Sequence, residues 1–111
     1  MEVAISRFKR CDMVKVIGRI NSQTAPQLAE TFKGILDEER HRIVFDMSEV
    51  DFISSAGLRV LIEVQKTCKR WNRGEVALAR VPQRIHETLD LAGFVPLFRL
   101  FDSTVEAVGS L

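Results

Sequence analysis

The chain has 111 residues, 46% of them hydrophobic and 28% charged, with a formal net charge of +1. That is enough apolar chain for one buried core, so one domain over residues 1–111 is expected. The near-neutral balance argues against a direct nucleic-acid partner or an acidic membrane surface. No apolar run approaches the ~18 residues of a membrane span. The opening MEVAISRFKRC has an early acid and no long apolar region, so no secretory signal and a cytoplasmic location are expected.

In chain order, VAISRF and MVKVIG are two β-prone runs separated by the polar KRCD, the pattern of a hairpin, with Gly18 ending the second strand. A helix follows, with Thr24 as N-cap, Pro26 in its first turn and Gln27 three residues after the cap. Ala25, Leu28, Ala29, Phe32, Ile35 and Leu36 share one face of it, and Glu30, Lys33 and Asp37 the other. RIVFDM reads as a short strand covered by helices. After the turn at Ser54, Ser55, Ala56 and Gly57, a second helix runs to about Trp71. Asn72 and Gly74 lead into the strand EVALA, Pro82 opens a third helix to about Leu91, and Gly93 stops it. LFRLF is the last strand, and STVEAVGSL a closing helix capped by Ser103 or Thr104. The order ββαβαβαβα predicts an α/β fold: a mixed, mostly parallel five-stranded sheet with an N-terminal hairpin and about four helices.

The second helix has an unusually wide apolar face. Leu58, Leu61, Ile62 and Cys68 form the expected stripe, and Val60, Val64 and Trp71 broaden it, leaving Arg59, Glu63, Lys66 and Arg70 on a narrow polar side. Two readings stand: a helix wedged deeply between sheet and neighbours, or a patch on which another protein docks.

Two serines open this helix, and one is accounted for as the N-cap. A nucleophile is poorly supported, because a glycine normally stands two residues before a catalytic serine on such a turn and Ile53 stands there. It would also need a base, and the only histidines are His41, at the far end of a strand, and His86, on another helix. The lone Gly57, with no Lys-Ser/Thr tail, makes a poor phosphate cradle. A covalently attached phosphate remains. At a helix N-terminus the free amides and the positive dipole end stabilise a dianion, so phosphorylation there need not unfold the protein. It adds about −1.5 to −2 charge at one surface spot, beside Glu49 and Asp51.

The string FDMSEVDFISSAGLRVLI resembles the signature of STAS domains (sulfate transporter and anti-sigma factor antagonist). The upstream VKVIGRINSQTAPQLAETF resembles the Gly-x-(Leu/Ile)-Asp-x-x-Thr-Ala-Pro segment of the same family. A standalone domain of this length most resembles the bacterial anti-sigma factor antagonists. The resemblance implies that Ser55 is the serine a partner kinase phosphorylates, with Ser54, where many members carry aspartate, as second choice. Gly57 and Leu58 match the residues that follow, and Asp46 and Ser48 the acid and serine of the preceding strand. Asn21 replaces a usual aspartate and Ala56 a frequent serine or threonine. Asn21, Ser54, Ser55, Ala56, Gly57, Arg59, Val60 and Val64 are the expected partner-binding residues.

The implied cycle has the unphosphorylated protein binding an anti-sigma factor serine kinase and so releasing a sigma factor. Phosphorylation reverses this, and a serine phosphatase resets it. On this reading the protein is not an enzyme, and self-association into a dimer is left open. The alternative is a constitutive STAS scaffold or accessory subunit of a signalling or lipid-transport assembly.

Cys11 and Cys68 lack CxxC spacing and read as buried reduced thiols; with no His or Cys at ligand spacing, neither a metal nor a cofactor is expected. The basic clusters RFKR and CKRW read as solvated charge, with the rim of an interface as the alternative for the second, which lies beside Trp71. Phe94 and Phe98 read as buried, and Arg84 and Arg99 carry no assignment.

Overall fold

The computed structural model describes residues 1–111. Its first elements are the predicted hairpin, β1 (Glu2–Arg7) and β2 (Asp12–Ile20), paired antiparallel from Glu2↔Ile17 to Arg7↔Asp12. The turn is closed by a hydrogen bond from Phe8 N to Cys11 O and clamped from outside. The guanidinium of Arg40 donates to the carbonyls of Phe8 and Cys11 and pairs with the buried carboxylate of Asp12. Gly18 does not end β2. Its φ of 114° is one that L side chains rarely adopt, and it sits where the ladder slips, so the strand bends and continues to the fully buried Ile20.

The third strand, β3 (Arg42–Ile53), is twice as long as RIVFDM, because it pairs in parallel with β2 as far as Ile20↔Ile53. Two register slips give it one extra residue each relative to β2. At the first slip the amide of Ser48 donates to Oδ1 of Asp46 at 3.0 Å. The fourth strand, β4 (Glu75–Ala79), pairs with β3 only as far as Asp46↔Ala79. LFRLF is not one strand. Residues Val95–Leu97 form a 3₁₀ turn, and β5 is only Leu100–Phe101. The sheet order is β1-β2-β3-β4-β5, antiparallel at the first pair and parallel at the rest.

The helices are α1 (Ala25–Asp37), α2 (Ser55–Lys69), α3 (Gln83–Leu91) and α4 (Thr104–Ser110). Alternation along the strands sorts them onto two faces. Val14, Val16, Ile43, Phe45, Val76 and Leu78 pack under α1, α2 and α3, with Phe32 edge-on to Phe45 at 5.5 Å between centroids. On the opposite face Val44, Ala79 and Cys11 pack against Ala107 of α4, whose N-cap is Ser103. Of the expected core, Ala29 is exposed and Leu36, Ile62 and Phe94 are only half-buried, whereas Phe98 is buried. Pro82 is the N-cap residue of α3, and Gly93, at φ 75°, ends its turn. No helix is long and apolar enough to cross a membrane.

Both cysteines are buried free thiols, as the spacing predicts. Burial raises the Cys68 thiol to about 11. A thiol ionising near 9 when unfolded therefore favours unfolding as pH climbs from about 9 to about 11. The expected loss in urea denaturation between pH 8 and pH 11 is about 2–3 kcal/mol, absent from Cys68→Ala. An equal loss in the variant would assign it to other groups.

Candidate functional site

The site is built where β3 becomes α2. The amide of Ser54 donates to the carbonyl of Ile20 at 2.8 Å, which ties the start of α2 to the end of β2. Ser54 is extended (φ −90°, ψ 174°), half-buried, and its Oγ accepts from the Gly57 amide at 3.4 Å. Its carbonyl takes the first helical hydrogen bond, from Leu58 N at 2.9 Å. Ser54 is therefore the N-cap of the pair. Ser55 is the first helical residue, exposed, and its hydroxyl engages no protein group. The first-turn amides around it have no intrahelical acceptor.

Gly57 is buried because α2 enters against the ends of two strands. A Cβ there would lie 2.6 Å from Cγ2 of Ile20 and 2.8 Å from Cγ1 of Ile53. Neither atom is the far end of a flexible chain, so the helix start must shift. Gly57→Ala is expected to cost about 1–3 kcal/mol in urea denaturation; a neutral result would mean that the junction is loose.

Asn21 stands at the neighbouring junction of β2 and α1. Its Oδ1 accepts from the amides of Gln23 and Thr24, at 2.9 and 3.1 Å. Thr24 Oγ1 in return accepts from Asn21 N and donates to Arg19 O. Thr24 is the N-cap residue of α1, as its spacing predicts, but its side chain makes no cap hydrogen bond to the helix; Asn21 holds that turn from upstream. The Asn21 acceptor oxygen does this structural work without a charge.

Between α1 and α2 runs a groove of about 610 Å³. Ala25, Ala29, Phe32 and Leu36 line one side, and Ala56, Val60 and Val64 the other. Ser22, next to Asn21, closes the end near Ala56, and Arg59, Glu63 and the Lys33–Asp37 ion pair form the rim. The structure thus gathers every expected partner-binding position at or beside one end of α2 and this groove. On the wide helix face Val64 is buried in the core, as the wedged reading expects, and it also lines the groove with the half-buried Val60. Trp71 belongs to neither. It is exposed at the other end of the helix, stacked on His41 at 4.1 Å between centroids.

Electrostatics at the helix start differ from the local sequence picture. Glu49 is held by Lys15 at 2.8 Å, which offsets its charge. Arg59 lies four residues after Ser55 on the same helix surface, exposed and without an ion pair among the side chains. The buried Asp46 has Arg80 at 4.0 Å, and the Ser48 hydroxyl is buried without a partner. No three His, Cys, Asp or Glu side chains converge as a metal site requires.

A family model described as STAS domain matches residues 3–107. BtrV of Bordetella bronchiseptica, whose name describes it as an anti-sigma factor antagonist, is 32% identical over 93 residues, covering 84% of this chain and 79% of BtrV. The solved structure of a Thermotoga maritima protein described in the same words superposes with a TM-score of 0.89 at 18% identity, over 97% of this chain and 92% of that one. Bacillus SpoIIAA in its phosphorylated form does so with a TM-score of 0.77 at 12% identity, over 98% of each chain. At these identities the two structures share the fold, while the sequence match carries the kinship. The chain therefore belongs to the STAS domain family and is related within it to proteins named as anti-sigma factor antagonists.

Proposed function

We propose that this protein is an anti-sigma factor antagonist acting as a phosphorylation-controlled partner switch, with Ser55 as the acceptor. The observation that carries the reading is the division of labour between the two serines. Ser54 spends its oxygen on the cap, whereas Ser55 presents a free hydroxyl at the first helical position. A phosphate on Ser55 meets first-turn amides, the positive end of α2 and the unpaired guanidinium of Arg59, so the folded state accommodates it. A phosphate on Ser54 would displace a cap instead.

The surface that reads this state is the start of α2 with the apolar groove beside it. An anti-sigma factor serine kinase binds it when Ser55 is bare, releasing its sigma factor, and a serine phosphatase restores that state. The protein contributes a surface and an acceptor, not catalysis: His41 is a full strand length away, stacked on Trp71, and His86 sits on α3. That Bacillus SpoIIAA, on the same fold, has a phosphorylated form supports a covalent phosphate on such a domain.

The test is mass spectrometry of protein recovered from its native cells, with site mapping across residues 53–58. Phosphate on Ser55 is the expected result. Phosphate on Ser54 would keep the switch and move its acceptor by one residue. Neither serine occupied under any growth condition would leave a constitutive STAS scaffold.

A further inference from the structure

At the end of the molecule opposite Ser55, the two basic clusters of the sequence meet. Arg10, from RFKR, lies in the β1–β2 turn, and Lys69, from CKRW, is the last residue of α2. Both line a polar cavity of about 430 Å³ with Arg42, the first residue of β3, and Arg73, in the loop before β4. None of the four makes an ion pair. The only carboxylate side chain on the wall is Glu75, and it is already held by two nitrogens of Arg99, at 3.1 and 2.6 Å. Gly109, Ser110 and Leu111, at and after the end of α4, complete the wall.

Four like charges around one cavity, whose single carboxylate side chain is already paired with Arg99, repel one another, and a surface near neutrality overall gives no reason to gather them. The negative end of α2 accounts for Lys69. It does not account for Arg10, Arg42 and Arg73, which come from three other places in the chain. Arg73 has a second peculiarity: its φ is 61°, a conformation usually given to glycine or asparagine. A long cationic side chain is held there at a backbone cost.

We infer that this cavity is a second binding site, for a small, multiply charged oxyanion of the phosphate class. Guanidinium groups present paired donors matched to phosphate oxygens, and several of them around one cavity favour an anion bearing more than one charge. The volume is in the range of small-ligand sites. The site does not depend on Ser55, since the length of α2, about 22 Å, separates them.

The probe is pyrophosphate, titrated into the whole chain against sodium chloride at matched ionic strength. Two readouts are the melting temperature and backbone amide shifts by NMR. The expected result is a saturable rise in melting temperature beyond the salt control, with shifts concentrated at residues 69–75 and 109–111. Arg73→Asn relieves the backbone conformation, so it should melt no lower than the parent without ligand, yet bind pyrophosphate at least tenfold more weakly. Arg10→Gln, on an exposed turn, should weaken binding in the same direction and serves if Arg73→Asn fails to fold. A response no larger than the salt control would overturn the proposal. So would binding unchanged in both variants, or shifts concentrated at Ser55 to Leu58.

Discussion

Ser55→Asp is expected to bind the anti-sigma factor at least tenfold more weakly than the parent, while Ser55→Ala binds as the parent does. A tenfold change needs only about 1.4 kcal/mol. On the proposed interface at the helix start, one buried carboxylate supplies that through desolvation. Stability should move the other way. An acidic residue in the first turn gains about 0.3–1 kcal/mol from the helix dipole, so Ser55→Asp should melt at or slightly above the parent. Titration calorimetry of both variants, beside their melting curves, separates lost binding from lost folding. Equal affinity for the partner in the two variants would remove Ser55 from the switch. Because a phosphate carries about −1.5 to −2 charge, the modified protein should bind more weakly than Ser55→Asp.

The second large effect is one of stability. Gln65 is buried on α2, on the side that faces β4. Its Oε1 accepts from Val76 N at 2.7 Å, and its Nε2 donates to the carbonyls of Val76 at 3.1 Å and Leu97 at 2.8 Å. β5 pairs with β4 only at Leu78 and Ala79, so the outer edge of β4 at Val76 has no strand beside it. The side-chain amide takes the place of that strand. Gln65→Leu keeps the volume roughly but strands the buried N–H and carbonyl of Val76, each costing about 1–3 kcal/mol where relaxation cannot rescue it, and frees the part-buried carbonyl of Leu97. A net loss of about 3 kcal/mol in urea denaturation is expected. A loss below about 0.5 kcal/mol would show that water reaches this edge and that Gln65 is not its cap.

Gln65 also marks where legibility stops. In sequence it sits one position from Val64 on a helix with a wide apolar face, and nothing local distinguishes it from a solvated glutamine. Its partners lie 11 and 32 residues away. The same gap explains β3. The run RIVFDM is visibly apolar, but its continuation to Ile53 depends on pairing with β2, including a bend at Gly18 that reads locally as a stop. The last strand failed for a related reason, since LFRLF has the composition of a strand while Pro96 lies in a 3₁₀ turn and only Leu100–Phe101 reach β4.

What the sequence determined by itself is whatever repeats at short range: the hairpin, the 3.6-residue faces of the helices, the stop at Gly93, the alternation that sets the α/β order, and the two motifs that carry the family resemblance. Those signals also placed Ser55 at a helix start, though not which serine caps it. Tertiary structure alone decided that Ser54 takes the cap, that Val64 is buried in the core while Val60 stays half-buried on the groove wall, that Trp71 stacks on His41, and that Arg10, Arg42, Lys69 and Arg73 share one cavity. The physical reason is common to all of them. Periodicity and capping are energies of neighbouring residues, whereas burial and charge convergence are set by which distant segments the sheet order brings together.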